Sequence, residues 1–298
     1  MSDSSLYPSS PLQAGWNQLF EHGADAALAM MHRLEMRAAV FWRNYAKRRD
    51  RRRPRPLVLH LSCGTIQLWG DENVYRWSRA NLGPSVLGSA YLALDNWLEK
   101  QLADGVHLAD LLPRILQNNG LVATTAPIIN AAAQRQNDHP TVSAIAPFLA
   151  APRLWSYDIR RHLDDQSPTH RMGGFIGRYR HHIEATEAVW QRYRQREPLH
   201  HQLLAPFHLF ADRDAKALLE ERRVGWRLED LADYDDELAD NAWRAAHEET
   251  LERFSSDADP ESIVIEEGAE PNQFLVGIKP PEHRTAAVEA VNREQSRA

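Results

Sequence analysis

The stretch PSVLGSAYLALDNWLEKQLADG, residues 84–105, decides the fold class. Val86, Leu87, Ala90, Leu94, Trp97, Leu98 and Leu102 recur at steps of three and four, so a helix through them carries one apolar face. Gly105 stands where a glycine closes a helix C-terminus. Downstream the pattern persists for about 170 residues. Leu108, Leu111, Leu112, Ile115 and Leu116 predict a shorter helix ended by Asn118-Asn119-Gly120, and further helices are expected over 122–134, 142–149, 152–163, 175–194, 199–210 and 214–221. A last one, over 236–253, is expected to turn Leu238, Ala242, Ala245, Ala246, Thr250 and Phe254 inward. Short helices joined by short polar turns predict a mainly α chain, an irregular helical bundle or an α-solenoid of antiparallel helix pairs. No repeat of fixed period is visible.

Upstream, Trp16, Phe20, Ala24, Ala27, Met31, Leu34, Ala38, Phe41 and Tyr45 predict one long helix over 13–48 that buries this stripe in a globular bundle or in a coiled-coil-like pair, the bundle being favoured. It runs into Lys47-Arg48-Arg49-Asp50-Arg51-Arg52-Arg53-Pro54-Arg55-Pro56, seven positive charges in nine positions, where two prolines stop helical continuation. The β-prone runs 57–61 and 65–69, around Ser62-Cys63-Gly64, predict a small hairpin. Two more strands are expected at 263–265 and 274–278, and a loose helix over 280–298. This divides the chain into a helix with a basic linker (1–56), a helical array (57–256) and an acidic C-terminal segment (257–298).

The 298 residues are 43% apolar and 26% charged, an ordinary globular composition that excludes fibrous and wholly disordered classes. The net charge of -6 hides an asymmetry: residues 1–56 carry +5 and residues 228–298 carry -13. Such regions attract each other or different partners. A single cysteine, Cys63, rules out an internal disulfide framework and a multi-cysteine zinc site, and fits a reducing compartment. No apolar run reaches membrane-spanning length, and residues 1–11 lack the order of a secretory signal, so a soluble cytoplasmic protein without a membrane partner is expected.

Three stretches carry a resemblance: Val74-Tyr75-Arg76-Trp77-Ser78-Arg79, then Gly83-Pro84 leading into residues 89–99, then Pro152-Arg153-Leu154-Trp155-Ser156-Tyr157-Asp158-Ile159-Arg160. In this order, over about residues 70–165, the chain resembles the helical-array region of very large bacterial P-loop ATP-binding proteins of the STAND-like, defence-related kind. The resemblance implies a helical portion separated from its motor, with an NTPase as the implied partner. No Gly-Lys pair occurs anywhere, so the phosphate cradle is missing and ATP hydrolysis does not carry over.

Several groups invite a chemical reading. Lys47, Arg48, Arg49, Arg51, Arg52, Arg53 and Arg55 could neutralise nucleic-acid phosphates, or form a solvated linker at a helix C-terminus. His162, His170, His181, His182, His200, His201 and His208 show no clean metal-ligand spacing, and His247-Glu248 lacks the second histidine of a zinc protease because residue 251 is Leu251. The glycines of Met172-Gly173-Gly174-Phe175-Ile176-Gly177 read as a tight turn. Cys63 near His60 lacks an orienting third group for nucleophilic catalysis. Trp77, Trp97 and Trp155 are candidates for a partner-binding surface or for core anchors. No cofactor is expected. The leading expectation is a non-catalytic scaffold or adaptor binding another protein. The second is a nucleic-acid-associated accessory protein using 47–55, and the third a hydrolase whose histidine site is assembled from distant residues.

Overall fold

The computed structural model describes residues 9–79, 83–116, 120–166, 180–267 and 274–278. The predicted glycine-rich turn at 172–177, His170 and the predicted helix over 280–298 lie outside them.

The chain is mainly helical. Helix α1 (Trp16–Arg49) is followed by the hairpin β1 (Leu57–Leu61) and β2 (Gly64–Leu68), then a short α2 (Glu72–Tyr75) that passes into a 3-10 turn through Arg79. Next come α3 (Ser85–Ala103), α4 (Leu108–Leu116), α5 (Thr125–Ala133), α6 (His139–Ala144), α7 (Ala146–Leu149) and α8 (Pro152–Gln166). The series ends with α9 (Arg180–Arg194), α10 (Leu199–Phe210), α11 (Arg213–Val224) and α12 (Asn241–Asp257), before β3 (Ile263–Glu267) and β4 (Phe274–Ile278).

Helix α3 is the centre. Every residue from Leu87 to Asp95 is buried, and so is every residue of α5 beside it. A helix apolar on all sides must be wrapped by others, and α1, α5 and α9 pack around α3. A solenoid buries each helix only between neighbours, so the irregular bundle is the architecture. One hydrophobic core runs from Trp16 and Phe20 in α1 to Phe254 in α12. Residue 56 marks a change of composition, and side chains from both sides of it share this core.

Both hairpins are antiparallel, with Leu57 facing Leu68 in the first and Ile263 facing Ile278 in the second. After β2 the chain turns at Gly70, whose φ of 137° and whose approach to Val74 and Val122 leave no room for a Cβ.

Two predicted faces are corrected. In α12 the side facing the protein carries Trp243, His247, Leu251 and Phe254, while Ala242, Ala245 and Ala246 are exposed. In α1 the buried stripe runs through Leu28, Met31, Glu35, Ala39 and Ala46, so Phe41 and Tyr45, expected inside, are exposed. Helix α1 also breaks its helical geometry at Gly23 (φ -161°, ψ 60°), which rotates the stripe after the first two turns.

Candidate functional site

Of the three tryptophans read as a partner-binding surface or as core anchors, Trp97 and Trp155 are core residues and Trp77 is half-buried against the core. Trp155 is 0% exposed, donates Nε1–H to Leu149 O at 3.0 Å and stacks on His200 at 4.9 Å between centroids. Trp97 is buried against Phe20 at 5.6 Å. Trp77 is half-buried, and its ring lies so close to Gly83 that no Cβ fits between them. Trp97 and Trp155 fill space between helices and offer no open aromatic surface.

The stretches that carry the resemblance meet in the fold. Tyr75 Oη donates to Asp158 at 2.7 Å, and Asp158 also accepts from Arg161, Arg196 and the amide of Leu199. Arg79 pairs with Asp165 and lies over the Tyr193 ring at 3.3 Å. Asp95 accepts from Asn130 at 2.8 Å and Arg192 at 2.5 Å. These contacts tie α8 to the turn after α2 and α3 to α5 and α9, the arrangement that fixes helices in register, although Arg79 Nε and Nη1, Arg192 Nε, Arg196 Nε and Asn130 Oδ1 are buried without a partner among the described residues.

The basic run is partly covered. Arg55 pairs with Asp235 at 2.7 Å, and Arg52 with Asp236 at 3.7 Å and Glu237 at 3.4 Å. Backbone bonds reinforce this clasp: Arg55 N–H donates to Asp233 O at 2.8 Å and Asp235 N–H to Arg53 O at 2.9 Å. Lys47, Arg48, Arg51 and Arg53 are exposed without an ion pair among the described residues, and Arg49 is the last residue of α1. The acidic region of the chain thus touches the basic one, through three side chains.

The histidines are dispersed. His32 meets Ile115 O at 2.7 Å, His60 meets Thr65 Oγ1 at 3.2 Å rather than Cys63, His208 meets Ala258 O at 3.1 Å, and His247 stacks on Trp243. His181 and His182 adjoin each other on α9. His162, His200 and His201 do line one cavity. Among the described residues no three metal-ligating side chains converge.

What sequence reasoning missed is the outer face of α1. Met30, Met36, Val40, Phe41 and Tyr45 are exposed along it, Phe41 at 72%, interleaved with exposed Arg33, Arg37, Lys47 and Arg48. Glu35, the one acidic residue between 26 and 49, is fully buried and accepts from Tyr91 Oη at 2.8 Å and from Thr124. Burial raises its pKa to about 7 against the pull of those two donors. Beside this face, between α1 and α4, runs a groove of about 650 Å³ lined by Leu28, His32, Arg33, Met36, Arg37 and Arg114. Several large apolar side chains exposed along one helix are a feature of interaction surfaces. The signal that could have found it is the continuation of the stripe through Glu35, which a reading by hydrophobicity passes over.

No family model and no curated protein matches this chain.

Proposed function

We propose that this protein is a helical adaptor whose α1 face docks an acidic protein partner. The observation that carries the reading is the exposed band Met30, Met36, Val40 and Phe41, set among cationic side chains with no exposed carboxylate from residue 26 to residue 49. Apolar anchors ringed by arginine are the usual composition of a binding hot spot. The charge selects the occupant: a second copy of the chain would bring like charges together across a two-fold axis, whereas an acidic amphipathic helix would pair with Arg33, Arg37 and Lys47 while burying Phe41. An NTPase module, the partner implied by the resemblance over residues 70–165, is the first natural candidate.

The test uses an acidic amphipathic helical peptide as probe, with duplex DNA and anionic vesicles in parallel. Saturable peptide binding that is lost in the Val40→Ser, Phe41→Ser double variant supports the adaptor. Binding of vesicles or DNA in place of the peptide overturns it in favour of a membrane surface or of the nucleic-acid reading.

A further inference from the structure

Helix α10 begins after Pro198, which has no side-chain acceptor with which to cap it. The amide of Leu199 is taken by Asp158 at 2.7 Å, while the amides of His200 and His201 have no acceptor among the described residues. In a helix of 12 residues these two amides carry the positive end of the dipole. The helix start borders a cavity of about 470 Å³ enclosed by α8, α10, α12 and β4.

Two buried side-chain nitrogens there lack a hydrogen-bond partner among the described residues. His200 is 2% exposed, held by its stack on Trp155, and its Nδ1 is buried without a partner. Burial and the neighbouring His201 lower its pKa to about 3, so the ring is neutral at pH 7 and offers one donor and one acceptor. Arg253 lies over the Phe254 ring at 5.2 Å, with Nε unpartnered and no ion pair among the described residues. Opposing charge is present too: Glu197 sits 3.7 Å from His162, and Asp257 also lines the cavity. The remaining wall is hydrocarbon, from Ile159, Leu163 and Ile278.

From this geometry we infer that the cavity binds a small monocarboxylic acid, with its carboxylate at the amides of His200 and His201 beside Arg253 and its hydrocarbon chain against Ile159, Leu163 and Ile278. A phosphate dianion fits less well, because Glu197 and Asp257 repel the second charge. The volume lies in the range of small-molecule sites. The inference uses none of the residues of the α1 face and stands or falls separately from the adaptor reading.

The experiment is a titration of the full-length, isotopically labelled protein with hexanoate, followed through backbone amide resonances, with 1-hexanol and inorganic phosphate as controls. Hexanoate is expected to shift the amides of residues 199–202 saturably and 1-hexanol to leave them in place. Arg253→Gln is expected to weaken hexanoate by about tenfold through loss of a charge-assisted contact. Leu163→Glu, at an exposed position of the wall, should weaken it as much without altering helicity, and keeps the test valid if the Arg253 variant does not fold. Absence of saturable shifts up to about 20 mM hexanoate, far weaker than typical small-ligand sites, overturns the inference. Equal or tighter binding of inorganic phosphate overturns it as well.

Discussion

The carboxylate of Asp158 and the guanidinium of Arg196 are 38 residues apart in the chain and 2.6 Å apart in the structure, and both are buried. Arg161, Tyr75 and the amide of Leu199 complete the shell around Asp158. Burial alone would raise the Asp158 pKa, but Arg161 and Arg196 outweigh it and hold the carboxyl well below the usual carboxylate range. Asp158→Asn leaves the buried Arg196 guanidinium without a counter-charge and Arg161 with Asp165 alone, and an expected loss of about 3–5 kcal/mol follows. Because the folded pKa is depressed, this contribution is complete above the unfolded value near 4 and declines progressively as pH falls from there towards the much lower folded value. Urea denaturation of both proteins from pH 3 to pH 7 checks the magnitude and the direction.

Glu35 and Asp233 work in the opposite sense. Burial raises each to about 7, against hydrogen bonds from Tyr91 and Thr124 to Glu35, and against Arg153 and the Tyr157 hydroxyl at Asp233. A raised carboxyl pKa gives stability that is whole below the unfolded value and is lost as pH rises to the folded one. Stability should therefore decline between about pH 4 and pH 7. For Glu35 the change from 4.5 to about 7 corresponds to about 3 kcal/mol. Glu35→Gln is expected to flatten this part of the profile, and a variant with the same slope as the parent would contradict the assignment.

Trp155 and Phe41 make a paired test of a buried and an exposed aromatic position. Trp155→Ala removes a side chain that is 0% exposed and is expected to cost about 3–5 kcal/mol. Phe41→Ser, at a position 72% exposed, is expected to stay within about 0.5 kcal/mol of the parent. Equal losses in thermal denaturation would place Phe41 in the core.

The clasp over the basic run yields another expectation. Replacing Asp235 and Asp236 by Asn and Glu237 by Gln removes ion pairs to partly exposed arginines and leaves an amide oxygen at 237 to accept the Asp233 and Tyr234 amides, so stability should fall by less than about 1 kcal/mol. The same variant should bind duplex DNA more tightly than the parent at low salt, with affinity falling steeply as salt rises. No gain in DNA binding would leave 47–55 as a solvated linker.

Where apolar residues outnumber alternatives, the fold was legible in the sequence. Helix α3 reads from its period because its buried positions are large and aliphatic, and both hairpins read because β-branched and aromatic residues concentrate there. The α12 face was misassigned because Ala242, Ala245 and Ala246 share a helical period with the true face while contributing little area. The α1 face was missed for a related reason: Phe41 and Tyr45 have the better hydrophobicity, but the core is entered by Glu35, whose carboxyl is tolerated only through Tyr91 and Thr124, 56 and 89 residues away. Asp158 and its arginines lie 3 and 38 residues apart, and no local pattern announces the longer pairing.

The backbone bonds between residues 53–55 and 233–235 join points about 180 residues apart and close the intervening chain into a ring. A single proteolytic cut within that ring does not release either piece: the fragments stay joined by the common core and by this seam. Nicked protein is thus expected to run as one species on a native column and as two on a denaturing gel, and the ring is a natural place to open the chain for a circular permutant.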